Sequence, residues 1–169
     1  EGTWTDDNSM TEAECLAIPS IDDKGGFWFD GNVSSIQFLL SGISLTSVSG
    51  GLAEQYLDWI QGSGNSDCDG DGVDDEKCAN IVAITTDDGT IPTSTDALLL
   101  TVGFSAFNNE SICFAGVGLE ASGGWSPPII ADSKGYDVIG KWGACYCASG
   151  DDLGCGCGNG TPSGCDNEC

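Results

Sequence analysis

The chain contains no histidine and no arginine, and its four lysines face 27 aspartates and glutamates. Without histidine there is no Ser-His-Asp or Cys-His catalytic arrangement. The same absence excludes zinc sites of the Cys/His type and attachment of c-type haem. A net charge of −23 repels nucleic-acid phosphates and anionic lipid, so neither is expected as a partner. No run of sequence approaches the roughly 18 consecutive apolar residues of a membrane helix, so no membrane span is expected. The sequence opens at Glu1 without a signal-type apolar stretch, which reads as a processed, mature form.

What is abundant is cysteine, glycine and aspartate. Ten cysteines in 169 residues, an even number, read as an oxidised framework and hence as a secreted, extracellular protein. The C-x-C spacings at Cys145/Cys147 and Cys155/Cys157 leave an all-cysteine metal site as the weaker reading. Cys15, Cys165 and Cys169 complete the set with Cys68, Cys78 and Cys113. Most of the carboxylates are Asp rather than Glu. Asp favours turns, caps and hard-cation ligation, whereas Glu favours helix.

The Asp-rich segment is most specific at Asp67-Cys68-Asp69-Gly70-Asp71-Gly72-Val73-Asp74-Asp75. Ca²⁺ takes six to eight oxygens, and alternating aspartates at 67, 69 and 71 aim three carboxylates at one point. Gly72 permits the sharp turn, the Val73 carbonyl is a fourth candidate ligand, and Asp75 is a fifth, directly or through water. The loop resembles EF-hand-like loops, and more closely those of thrombospondin type 3 repeats and dockerins. The position that usually carries a bidentate Glu is Cys78 here. A Cys68–Cys78 bridge would pin the loop in place of a second helix. A structural Ca²⁺ is therefore the expected cofactor.

Three tripeptides match the N-glycosylation pattern, at Asn32, Asn109 and Asn159. Trp28 and Trp125 stand in loop-like contexts and are candidate sugar-stacking residues. Trp59 and Trp142 read instead as packing residues.

Along the chain, residues 1–26 read as an N-terminal segment, with a short helix through Ala17 capped by Ser9 and Glu12. This segment is a candidate docking element between subunits. Ile36, Phe38 and Leu40 alternate as on a half-buried strand, and Gly42 then shifts the phase, as at a bend between sheets. Residues 52–61 have helical spacing. Residues 61–78 read as a loop insertion carrying the calcium loop, with a strand from Asn80. Ala97–Phe107, with Leu98, Leu100, Val102 and Phe104 on one face, reads as the clearest strand, forming a hairpin with Ser111–Leu119. Strands are expected near Ile129–Ala131, Tyr136–Ile139 and Lys141–Tyr146. Residues 148–169, rich in Gly and Cys with almost no large apolar side chain, require disulfides to hold them. The expected fold is all-β, an antiparallel sandwich over residues 27–147 with one or two short helices.

The segments Val33–Gly42, Ser49–Ala53, Gly89–Pro92 and Leu98–Phe104 together resemble a cohesin-like sandwich. The resemblance spans about residues 30–146 and implies a jelly-roll-like sandwich related to scaffold and carbohydrate-binding modules. Within it Cys113 and Cys145 lie on late strands and are placed to bridge them, while the pairing of the remaining cysteines stays open. The leading functional expectation is a non-enzymatic extracellular subunit that assembles with itself into a filament, appendage or surface layer. Alternatives are an adhesion or carbohydrate-binding module and a cohesin-like scaffold domain.

Overall fold

The computed structural model describes residues 9–17, 28–107, 111–115, 128–138, 140, 142–148 and 157. The chain divides into two units, Glu1–Asp30 and Gly31–Cys169.

In the first unit, helix α1 (Glu12–Leu16) begins two residues later than the expected Ser9 cap implies. Its N-cap is Thr11, whose hydroxyl accepts the Glu14 N–H at 3.4 Å while the Glu14 carboxylate accepts the Thr11 N–H at 2.9 Å. This is a complete capping box, one step along the sequence pattern from the alternative Ser9/Glu12 box. It puts Glu12 and Glu14 in the first turn, where the helix dipole favours negative charge.

The second unit is an antiparallel β-sandwich. β1 (Val33–Ser41) is the central strand of the larger sheet. It pairs along one edge with β4 (Asp75–Ile84), Phe38 opposite Ile81 and Ile36 opposite Ala83. Its other edge is shared by β7 (Ile129–Asp132) and β6 (Ser111–Ala115), and β8 (Tyr146–Cys147) extends β6. β3 (Trp59–Ser66) lies outside β4 and ends the sheet. The smaller sheet is β2 (Ile43–Ser49) with β5 (Thr101–Phe107). Gly42 makes the corner between β1 and β2 at φ 91°, a backbone region open mainly to glycine. The expected bend between sheets is therefore observed.

Alternation explains the core. Ile36 and Phe38 of β1, Ala79, Ile81 and Ala83 of β4, and Ile43 of β2 are buried together with Ala53, Leu57 and Ile91. Ile36 and Leu40 face Ala83 and Ala79 across the β1–β4 ladder, on either side of the large Phe38–Ile81 pair, so the layer fills without crowding. Each buried Ile or Phe contributes roughly 1.5–3 kcal/mol. Phe38 extends this core into an aromatic cluster with Phe114 and Trp142, with ring centroids 5.1 to 6.1 Å apart. Trp142 is thus a packing residue, as its sequence context predicts.

Several expectations are corrected. Helical spacing over 52–61 holds only for α2 (Gly51–Tyr56), after which the chain turns extended at Leu57 and enters β3. Residues 61–78 are not a long loop. They are the two arms of a β3–β4 hairpin whose tip alone, 67–74, is irregular. β3 escapes notice because it is Gly- and Ser-rich. Leu45 and Val48 of the facing sheet occupy the space where a side chain at Gly62 would lie, so the glycine lets β2 pack on its backbone.

The apolar run 97–100 is not part of β5. The carbonyls of Leu98 and Leu99 accept the N–H groups of Leu52 and Ala53, each at 2.9 Å, and so satisfy the open first turn of α2. Leu98 is 63% exposed and Phe104, in β5, is 44% exposed, so the two do not line a buried face. β5 and β6 do not form a hairpin with each other, because β5 pairs with β2 and β6 with β1, in different sheets. Residues 136–138 make one isolated bridge, Asp137 to Ala131, and the final strand is only Tyr146–Cys147. Among the described residues no helix is long and apolar enough to cross a membrane.

Candidate metal loop and its disulfide staple

The β3–β4 hairpin brings Asp67, Asp69 and Asp71 together, with one carboxylate oxygen of each within 4.8 Å of the others. The loop folds on its own aspartates. Both oxygens of Asp67 accept backbone N–H groups, from Gly70 at 2.6 Å and Gly72 at 2.8 Å. Asp69 accepts from Asp71 N–H at 3.1 Å and Asp71 from Val73 N–H at 2.8 Å. Gly70 and Gly72 hold φ of 81° and 87°, conformations that let the turns follow one another. The Gly72 N–H above all holds the Asp67 carboxyl below its ordinary value.

The other two expected ligands, the Asp75 carboxylate and the Val73 carbonyl, follow the trio in sequence. Asp75 begins β4, and its carboxylate accepts the Cys68 N–H at 2.9 Å rather than joining the trio. Val73 is exposed, and its N–H is engaged by Asp71. Three like charges converging at this separation favour a cation among them, and the donor set is all oxygen, as hard divalent ions require. The trio therefore fits a divalent metal ion.

Cys68 and Cys78 are bridged, closing the loop at its base as the flanking positions predict. Cys78 lies in β4 and is fully buried, so the staple ties the exposed tip to the core. Cys113–Cys145 is also formed, joining β6 to the segment before β8. The third pair, Cys147–Cys157, was open in the sequence. Cys145 and Cys147 therefore each have a disulfide partner, which overturns the all-cysteine metal alternative at that C-x-C. Three disulfides indicate an oxidising environment. Cys15 lies in the last turn of α1, while Cys155, Cys165 and Cys169 fall outside the described residues.

Among the glycosylation candidates Asn32 directly precedes β1 and is half-buried, whereas Asn109 and Asn159 lie outside the described residues. Of the sugar-stacking candidates Trp28 is half-buried and Trp125 lies outside them. Trp59, expected on a helix face, instead stands on β3 with 42% of its surface exposed.

Asp58 is a site that the sequence reading passed over. One of its oxygens accepts the Thr85 hydroxyl at 2.8 Å, the Thr86 N–H at 2.9 Å and the Asp87 N–H at 3.1 Å. It anchors the turn after β4 to the start of β3. The signal was an Asp just before a strand together with the Thr-Thr-Asp-Asp turn, but no local spacing links the two. These donors, led by the Thr86 N–H, hold the Asp58 carboxyl below its ordinary 3.8.

A carboxyl held low in the folded state binds its proton later than it does unfolded. The stabilisation from Asp58 and Asp67 is therefore complete above the ordinary value of 3.8 and is lost as pH falls through the lower folded values. Melting curves recorded in chelator are expected to show a midpoint that falls steeply below about pH 4. Asp58→Asn is expected to lower stability at pH 7 and to flatten part of that fall. An identical pH profile in the variant would show that Asp58 does not contribute.

No protein-family model matches the chain, and no curated protein or solved structure matches it significantly. The likenesses to cohesin-like sandwiches and to thrombospondin or dockerin loops thus rest on the quoted segments alone.

Proposed function

We propose that this chain is a secreted structural subunit: a Ca²⁺-loaded, disulfide-stapled sandwich, of cohesin-like type, that joins further copies of itself in a filament, appendage or surface layer and performs no catalysis. The observation that carries this reading is the aspartate trio at the tip of a hairpin whose base is closed by Cys68–Cys78. A metal there ties down the eight-residue tip, six of whose residues are exposed, and neutralises the repulsion of its aspartates, which is a structural task. Ca²⁺ is the divalent ion that tolerates such a loop, because it accepts flexible geometry and completes its shell with main-chain oxygens and water. Extracellular calcium is abundant enough to fill a weak site, and the disulfides suit the same compartment. Glycans on Asn32 belong to this reading.

Self-association is supported by a sheet edge, β3, that among the described residues pairs on one side only, a feature that proteins extend by adding strands. Sedimentation and negative-stain microscopy of the native protein test it. Assemblies in Ca²⁺ that shorten or disperse in EGTA are expected. Monomers at every concentration in Ca²⁺ overturn the self-assembly reading.

A further inference from the structure

In the larger sheet Ile36 and Phe38 of β1 and Ile81 and Ala83 of β4 are buried in the core. Side chains alternate along a strand, so Gln37, Asn80 and Val82 face the other way. By the register of β3 with β4, Trp59, Gln61 and Ser63 share that outer face. Outward faces of antiparallel sheets are ordinarily polar, and in a chain of net charge −23 they are expected to be acidic. Yet no charged residue stands in 59–63 of β3, 80–84 of β4 or 35–39 of β1. The strip is most open on β3, where Trp59, Gln61 and Ser63 are exposed, and it is half-buried over β4.

The polar groups of this strip are the second observation. Gln61 lies opposite Val82, and Val82 opposite Gln37, so the three form one row about 10 Å across. Ser63 lies opposite Asn80 in the next row, about 13 Å along β3 from Trp59. Gln37 Nε2 donates to Asn80 Oδ1 at 3.3 Å, which ties the two amides together. Among the described residues the remaining groups of that pair, Gln37 Oε1 and Asn80 Nδ2, have no partner, and neither do the side chains of Gln61 and Ser63. An exposed indole thus stands beside a set of neutral donors and acceptors.

We propose that this outer face binds an uncharged polysaccharide, with one sugar ring stacked on Trp59 and hydroxyl groups held by Gln61, Ser63 and the Gln37–Asn80 pair. A sugar ring presents weakly positive C–H groups on one face, which suit the negative face of an indole. Amides and hydroxyls both donate and accept hydrogen bonds, as sugar hydroxyls do. Charge selects the occupant. An acidic polysaccharide, or a second copy of this chain, is repelled by the net charge of −23, with Asp58 at one end of β3 and Asp67 beyond the other. A basic partner meets no carboxylate within the strip and is drawn instead to the Asp67–Asp71 trio. Trp59 thereby takes the stacking role that its sequence context gave to Trp28 and Trp125. The face is distinct from the sheet edge and from the metal loop, so this binding goes beyond self-assembly and does not depend on it.

Affinity electrophoresis of the full chain in Ca²⁺ tests this, through gels holding β-glucan, xylan or galactomannan as neutral probes and alginate as the acidic one. Retardation is expected in at least one neutral gel and not in alginate. Trp59→Ala is expected to weaken it about tenfold or more. Gln61→Leu keeps the size of an exposed side chain without its hydrogen bonds and is expected to weaken it severalfold. Trp28→Ala, in the first unit, is expected to leave it unchanged. Melting curves confirm that each variant folds, and if Trp59→Ala does not, Gln61→Leu carries the test. A wild-type chain retarded in no neutral gel, or retarded in alginate alone, overturns the proposal. So does retardation that the folded variants at 59 and 61 leave intact. If sedimentation shows that Trp59→Ala disperses assemblies while sparing retardation, the face is a protein contact and the polysaccharide reading falls.

Discussion

Stripping Ca²⁺ with EGTA is expected to lower the unfolding free energy by about 2.7 kcal/mol when the protein starts at a free Ca²⁺ one hundred times its dissociation constant. The figure follows from mass action, since an ion that binds only the folded hairpin stabilises it by its saturation. For a chain of this size each kcal/mol moves the melting midpoint by roughly 2–4 °C, so the shift is easily read by calorimetry. Asp69→Asn and Asp71→Asn each remove one charge from the trio and are expected to weaken Ca²⁺ binding and shrink the EGTA effect. Asp75→Asn is the informative contrast. Its carboxylate is turned to the Cys68 N–H, so the variant is expected to bind Ca²⁺ nearly as the wild type does. If Asp75→Asn abolished binding while Asp69→Asn spared it, the trio would be the wrong ligand set. If EGTA left the midpoint unchanged and calorimetric titration showed no heat, the loop would hold no Ca²⁺.

Gly51→Ala is expected to destabilise the sandwich by about 3–5 kcal/mol, more than most single changes. Gly51 stands at φ 66°, and a left-handed conformation costs a non-glycine residue roughly 1–2 kcal/mol. The added methyl would also press on the carbonyls of Leu98 and Leu99. Those carbonyls accept the N–H groups of Leu52 and Ala53, so moving them breaks two bonds worth about 0.5–1.5 kcal/mol each. Ala53 and Leu57 of the same segment are buried, and the strain passes directly to the core. Chemical denaturation of the variant measures the loss. The neighbouring Gly50→Ala is the comparison, since the nearest atom to its added Cβ is 3.8 Å away and only its φ of 77° opposes the change. Equal losses at both glycines would show that the carbonyl contacts at Gly51 add nothing.

These two sites mark what the sequence made legible and what it did not. The Asp67–Asp71 spacing is local, and the convergence of three carboxylates that it predicts is what the loop shows. The same holds for the alternation of Ile36 and Phe38, for the corner at Gly42, and for the short-range staple Cys68–Cys78. Cys113–Cys145 was reachable only through the cohesin-like likeness, because a 32-residue separation carries no local signal. β3 was missed because nothing in Gly62-Ser63-Gly64 favours a strand. Its extended form comes from the β4 ladder and from the close approach of Leu45 and Val48. The run 97–100 misled for the opposite reason. Its apolar alternation is real, but its carbonyls serve the first turn of α2, a demand set some 45 residues away. The β5–β6 hairpin failed because succession along the chain does not decide which sheet a strand joins, and the anchoring role of Asp58 went unseen because its donors lie 27 to 29 residues onward.

The three bridges also change what happens when the chain is pulled along its backbone. Cys113–Cys145 shields a span of 32 residues from tension, and Cys68–Cys78 and Cys147–Cys157 each shield a span of 10. At about 3.4 Å of contour per residue, the largest of these loops withholds on the order of 110 Å of slack. Whatever load ruptures the sheet, the residues outside these loops run out, while those inside them stay behind covalent links until the bridges are reduced.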